Sequence, residues 1–364
     1  MASNTGNVAL IFGASGISGW ALMRECLSYP SKDTFSRVIG LTNRPLSKEV
    51  AFVPDDPRLE IHNGLDLTSE DQTRQKLESI DNIGDVTHVY FQLVIVNAKL
   101  VDNALKAIDK LCPMLKFFGY GSMEVGFPPA PWKEDLPRLP EPYGSKIFYN
   151  VQYDLVVQHA AKNSWKWSEI RPSFLPGYVP HHNAMNISLA IGQYLSLYRW
   201  INGAGAKCTF PGTQASWSAL HTDSFQDLVA HFHIYVSLHP EKTHGRSLNV
   251  GDGASVSWEQ KWPILCKYFD LEGVAPSDQI AGPISCGEWM MAQRDSWPAW
   301  VKENGLRENA LEGTLWDMID TLQFPMRIDY DLAASREVGF NETLEPGQGY
   351  MLAFDRLRES KFLA

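Results

Sequence analysis

The chain lacks most of the features that would assign it to a membrane, a secreted scaffold or a nucleic-acid partner. Its five cysteines, Cys26, Cys112, Cys208, Cys266 and Cys286, are odd in number and scattered, with no CxxC pair. That argues against a disulfide framework and implies reduced thiols in an intracellular, cytoplasmic protein. No apolar run approaches the roughly 20 residues that a membrane span requires. The opening MASNTGN has neither a basic segment nor an apolar core, so no secretory signal is expected. Basic residues are in deficit, and the formal charge of −10 speaks against nucleic acid or an anionic membrane surface as partner. There is no internal repeat and no low-complexity tract. No GxSxG precedes His221-Thr222-Asp223, so a hydrolase triad would have no nucleophile. Those residues read instead as a loop entering a helix, with Asp223 or Ser224 as N-cap before Phe225. His181, His182, His231, His233, His239 and His244 have no carboxylate or cysteine at ligand spacing, so no metal is expected.

What is present is a globular composition, 44% hydrophobic and 20% charged, long enough for one large domain or two. The 12 Trp and 17 Phe suit either a pocket for a bulky apolar ligand or plain core packing. The chain is organised around Asn7–Arg24, NVALIFGASGISGWALMR. Val8–Phe12 is a short continuous apolar run, as expected of a strand buried on both faces. Gly13, Gly16 and Gly19 follow at three-residue spacing and a helix begins near Trp20. Gly13 turns the chain, Gly16 lets backbone approach a pyrophosphate, and Gly19 lets the helix pack on the strand. The helix N-terminus offers unpaired N–H groups to that phosphate. A dinucleotide is therefore the expected ligand.

Arg37–Leu41 is a second apolar strand, followed by Thr42-Asn43-Arg44-Pro45. An acidic residue at this strand's end would hold a ribose 2′-hydroxyl; Arg44 stands there instead, and its guanidinium suits a 2′-phosphate. The expected cofactor is therefore NADPH. Leu59–Leu67 reads as the third strand, running into Asp66, placed to meet the adenine amino group. Thr68–Ile80 reads as a polar helix, Val86–Gln92 as the fourth strand, Asn97–Leu111 as a helix and Leu115–Tyr120 as the fifth strand. Phe127–Pro142 carries six prolines and no hydrophobic period, a long loop of the kind that is usually functional. A helix is expected over about 144–162, then a strand ending at Glu169-Ile170-Arg171-Pro172. Met185–Arg199 and Phe225–Leu238 read as further helices, and Leu248–Gly251 as a last strand. The βα alternation predicts an α/β fold, a Rossmann-type doubly wound parallel sheet. Residues 1–180 would form the NADP-binding domain, completed by the strand near 248–251, and residues 181–364 a smaller, mainly helical substrate-binding lobe.

GASGISG, GLTNRP, GLDLT, THVYFQ, EDLPRL followed by FYNVQYDL, RPSFLPGY and Met185-Asn186, in this order, resemble motifs of one family. HTDSFQDLVAHFHIYVS, NVGDGASVSW and REVGF continue the match. The family is the atypical extended short-chain dehydrogenases/reductases typified by progesterone 5β-reductase and iridoid synthase (PRISE). The resemblance implies 1,4-reduction of an enone or enal by NADPH, on an apolar, secondary-metabolite type of substrate. It implies a tyrosine donor at Tyr149 and a cofactor set of Gly13, Ser15, Gly16, Ile17, Gly19, Asn43, Arg44, Asp66, Leu67, Gln92, Tyr149, Pro172 and Phe174. The family's lysine after the fifth strand does not carry over, because that loop reads Gly121-Ser122-Met123-Glu124-Val125-Gly126. Ser122 looks instead like the serine of ordinary extended short-chain reductases, which donates to a substrate carbonyl. Those enzymes place a lysine four residues after the tyrosine, where it lowers the phenol's pKa from about 10. Here Tyr153 stands there.

Tyr143-Gly144-Ser145-Lys146 resembles the ordinary pattern with one residue missing, so Tyr143 rivals Tyr149. Lys146, three positions before Tyr149 on a continuous helix, either replaces the lysine or is a solvated first-turn residue. Met123, Phe148, Met185, Trp217 and Phe340 are candidate pocket walls or ordinary core. Three functions stay open: an NADPH-dependent enone reductase, a carbonyl reductase or dehydrogenase using Ser122 with Tyr149 or Tyr143, and a non-redox isomerase, cyclase or nucleotide sensor. A small apolar organic substrate is the expected partner, with no nucleic acid and no membrane; a homodimer is an open alternative.

Overall fold

The computed structural model describes residues 6–93, 98–123, 129–181, 186–276 and 285–364. Seven parallel strands make the central sheet: β1 (Asn7–Phe12), β2 (Phe35–Leu41), β3 (Leu59–His62), β4 (His88–Phe91), β5 (Phe117–Gly121), β6 (Lys166–Pro172) and, after the short β7 (Lys207–Thr209), β8 (Arg246–Val250). Their spatial order is β3-β2-β1-β4-β5-β6-β8. The order reverses between β1 and β4, which opens a crevice at the carboxyl ends of these two strands. β7 pairs in parallel with β9 (Glu272–Val274) to form a separate two-stranded sheet.

Helices cover both faces, as the apolar strands require. On one face, the Ala98–Leu111 and Phe148–Ala160 helices enclose Leu10, Phe12, Val89, Phe91, Phe118 and Tyr120. On the other, an apolar cluster runs from Ala9, Ile11, Trp20 and Met23 through Tyr194 and Trp262 to Tyr350 and Phe354. The C-terminal helices thus share a core with the first helix and the sheet. Trp20, Trp262 and Trp300 are fully buried in it, so these tryptophans serve packing. Trp217 lies against Phe210 in the same core, and Phe340 against Phe232 and Tyr235; neither lines a described cavity.

Two elements depart from the sequence reading. The third strand stops at His62 and not at Leu67, because Asn63 turns its side chain across to the loop after β2. Asn63 Oδ1 accepts from Leu46 N at 2.8 Å, and Asn63 Nδ2 donates to Leu46 O at 3.3 Å. The helix expected from residue 144 is broken: Gly144–Lys146 is a separate 3₁₀ turn, Ile147 is extended (φ −83°, ψ 102°), and the helix proper is Phe148–Ala160. Asn150 Nδ2 donates back to Gly144 O at 3.0 Å and holds the two pieces together.

Candidate active site

Gly13 and Gly19 act as their spacing implies. Gly13 has φ +77°, and a Cβ there would meet Gln92 O at 2.5 Å. A Cβ on Gly19 would meet Gly13 O at 2.1 Å, so the Ile17–Glu25 helix packs on the end of β1 at backbone distance. Gly16 is different: its Cβ would meet only Gly13 O, at 3.3 Å. Gly16 is also the helix N-cap and no side chain caps the terminus. The first-turn N–H groups beside Gly16, half-buried Ser15 and buried Ile17 thus face open space, which is what a pyrophosphate needs.

The residues expected at the adenosine end of a dinucleotide lie at the same carboxyl edge. Thr42 Oγ1 donates to Arg44 O at 2.7 Å, fixing the loop while the exposed Arg44 side chain projects from it; among the described residues no carboxylate pairs with it. Asn43 beside it is exposed. Asp66 Oδ1 accepts from Thr68 N and Oγ1 at 2.9 and 2.7 Å, which pulls its carboxyl below the usual value and leaves Oδ2 open. Leu67 is buried, its carbonyl taken by Asn103 Nδ2. Gln92, past β4, donates to His233 Nε2 at 3.2 Å; burial pulls His233 down to about 3, keeping it a neutral acceptor. Pro172 ends β6, and Phe174 beyond it is held by Thr222 O and Ser224 N.

Tyr149 sits in the first turn of the Phe148–Ala160 helix and is 8% exposed. Burial alone pushes its phenol up to about 12; no hydrogen bond contributes. It borders a cavity of about 220 Å³ with Met123, Glu134, Arg138, Tyr153, Glu169 and Arg171. Tyr143 is 60% exposed on the separate turn and does not line this cavity. Lys146 is exposed on that same turn, and extended Ile147 removes the helical phase that would have put it on Tyr149's face. The helical reading of Lys146 is therefore corrected.

Ser122 follows β5 on the same side of the sheet, but its hydroxyl is engaged. Ser122 Oγ donates to Glu169 Oε1 at 2.7 Å, with both residues buried. Glu169 Oε2 accepts from Arg171 Nε at 3.0 Å and from Ser247 Oγ at 2.5 Å. A serine has one hydrogen, so Ser122 meets the site as an acceptor and not as a carbonyl donor. Sequence reasoning placed Glu169 and Arg171 on a strand but missed this cluster; the polar residues in EIRP, next to apolar Ile170, were the available signal. The cavity is accordingly polar, and burial raises the Glu134 carboxyl above its ordinary value.

Asp223 and Ser224 do not cap the Gln226–Leu238 helix as expected. Asp252 Oδ1 accepts from Phe225 N at 2.6 Å in their place, Asp223 binds the buried Lys261 through both oxygens at 2.7 Å, and Ser224 Oγ donates to Val250 O. Met185, His182 and Glu124-Val125-Gly126 lie outside the described residues. Among the described residues no three His, Cys, Asp or Glu side chains gather as a metal site, and no helix is long and apolar enough to cross a membrane. All five cysteines are unpaired and buried.

Sheet order, glycine turn and crevice define a Rossmann-type fold of the extended short-chain dehydrogenase kind. Solved structures share it. WbmG of Bordetella bronchiseptica, in complex with NAD, superposes with TM-score 0.61 over 100% of this chain and 97% of its own at 13% identity. UDP-glucose 4-epimerase of Thermotoga maritima gives 0.60 over 97% and 99% at 12% identity. Residues 9–364 match the PRISE-like Rossmann-fold domain, and the chain belongs to that family. Its relatives include the short chain dehydrogenase ausT of Aspergillus calidoustus, 33% identical over 100% of this chain and 96% of that protein. The (S)-8-oxocitronellyl enol synthase CYC2 of Camptotheca acuminata is 26% identical over 98% and 93%.

Proposed function

We propose that the protein is an NADPH-dependent reductase of an activated C=C bond in an enone or enal, acting on a small, largely apolar secondary-metabolite type of substrate in the cytoplasm. The observation that carries this reading is Tyr149: a buried phenol, without a hydrogen bond among the described residues, on the wall of a cavity at the carboxyl edge of the sheet. The open cradle at Gly16, the uncapped helix and the unpaired Arg44 fit a dinucleotide bearing a 2′-phosphate. When bound, the reduced nicotinamide supplies a hydride to the β-carbon.

The chain's own work is to stabilise the charge that then develops on the carbonyl oxygen. Tyr149 donates its hydrogen to that oxygen in a site shielded from water, where such a donor counts most. Ser122, its hydrogen committed to Glu169, does not share that task, which disfavours the serine–tyrosine pair of ordinary carbonyl reductases.

The test is incubation of the purified protein with NADPH and a simple cyclic enone. Consumption of NADPH with formation of the saturated ketone supports the reading. An allylic alcohol as product favours carbonyl reduction, and binding of NADPH without consumption over a panel of enones and enals favours an isomerase or cyclase.

A further inference from the structure

Gln152 lies three residues after Tyr149, on the same flank of its helix. It is 2% exposed, and its Nε2 has no hydrogen-bond partner among the described residues. Leaving a buried amide unpaired costs about 1–3 kcal/mol, so such a group calls for a partner from outside the chain. The side chain borders a narrow cleft with Phe91 and Leu93 at the end of β4, Val101 on the following helix, and Phe148. Every other described side chain lining that cleft is apolar, so Gln152 is its single hydrogen-bonding group. The cleft holds about 10 Å³, room for one hydroxyl or one water molecule and nothing larger.

Its position says which hydroxyl. Leu93 also flanks the glycine turn, since a Cβ on Gly13 would come within 3.0 Å of Leu93 Cδ2. The cleft therefore touches the glycine turn on one side, through Leu93, and the helix that carries Tyr149 on the other, through Phe148 and Gln152. In a nicotinamide dinucleotide the group between pyrophosphate and nicotinamide is, by covalent order, a ribose. We propose that Gln152 is a cofactor-binding residue whose carboxamide holds a hydroxyl of the nicotinamide ribose. The assignment rests on the NADPH reading above. Being neutral, Gln152 would fix the ribose without bringing a cation to the Tyr149 helix.

Calorimetric titration of wild type and Gln152→Met with NADP⁺ and with adenosine 2′,5′-bisphosphate separates the contributions, because the second ligand has no nicotinamide ribose. Loss of one hydrogen bond should raise the NADP⁺ Kd about threefold to tenfold, with the bisphosphate Kd unchanged within about twofold. The melting temperature of the ligand-free variant should not fall, since methionine removes an unpaired buried amide. An unchanged NADP⁺ Kd overturns the proposal, and so does equal weakening of both ligands or a lowered melting temperature, each of which marks a structural role. A wild type that binds neither ligand rejects the NADPH reading itself.

Discussion

Changing Tyr149 to Phe tests the proposed chemistry most directly. The hydroxyl has no partner among the described residues, so its removal orphans none of them and the fold should keep its stability. Loss of the one donor aimed at a developing oxyanion costs about 2.7–4 kcal/mol, or 10²–10³ in kcat. The NADPH Kd should stay near the wild-type value. The pH profile adds a second reading. With the phenol near 12, its acid form predominates at every pH below about 10, so the wild-type rate should not decline through phenol ionisation between pH 6 and 10. Steady-state kinetics of both proteins with one enone, over that range, is the assay. A Tyr149→Phe enzyme within threefold of wild type would refute the donor assignment, and an alkaline fall in wild-type rate near pH 7 that Tyr149→Phe abolishes would refute the placement of its phenol near 12. Tyr143→Phe, on an exposed turn, should be mild; a crippled Tyr143→Phe would move the donor there.

Arg44→Ala should raise the NADPH Kd about tenfold and leave NADH nearly untouched if, as proposed, the exposed guanidinium meets only the 2′-phosphate; equal losses for both cofactors would contradict this. Gly16→Val should fold, since a Cβ there meets only Gly13 O at 3.3 Å, and should lose NADPH binding in a fluorescence titration. Lys261→Met strands Asp223 in the core beside Asp252, whose carboxyl burial and Asp223 push up to about 7. Urea unfolding should show a loss of about 3–5 kcal/mol, largely regained when Asp223→Asn is added.

Most of the fold was legible because its signals are local. Gly13 turns the chain and Gly19 lets the helix pack on the strand, as their spacing announces, and the apolar strands alternate with helices in sequence as they do in space. The parts that were not legible depend on contacts between distant residues. Ser122 looked like a carbonyl donor until Glu169, 47 positions away, took its hydrogen. Lys146 looked like a replacement lysine because about 144–162 reads as one helix. The break at Ile147 rests on Asn150 reaching back to Gly144, a local contact that no periodicity encodes. Gln152 was invisible for the opposite reason: what marks it is a partner it does not have.

These corrections converge on the acidity of one phenol. Near Tyr149 every described cation is engaged or remote. Arg138 pairs with Asp154 at 2.7 Å, Arg171 pairs with Glu169 at 2.8 Å, and Lys146 lies exposed on the other side of the break. Nothing therefore offsets the desolvation that holds the phenol near 12. At pH 7 its ionised fraction is on the order of 10⁻⁵, and forming the phenolate costs about 7 kcal/mol. A base for drawing a proton from an alcohol would need that phenolate, whereas an acid for an enolate oxygen needs the phenol as it stands. The phenol as it stands is thus fitted to act as an acid and not as a base, through the same absence of a nearby cation that made the lysine hard to place.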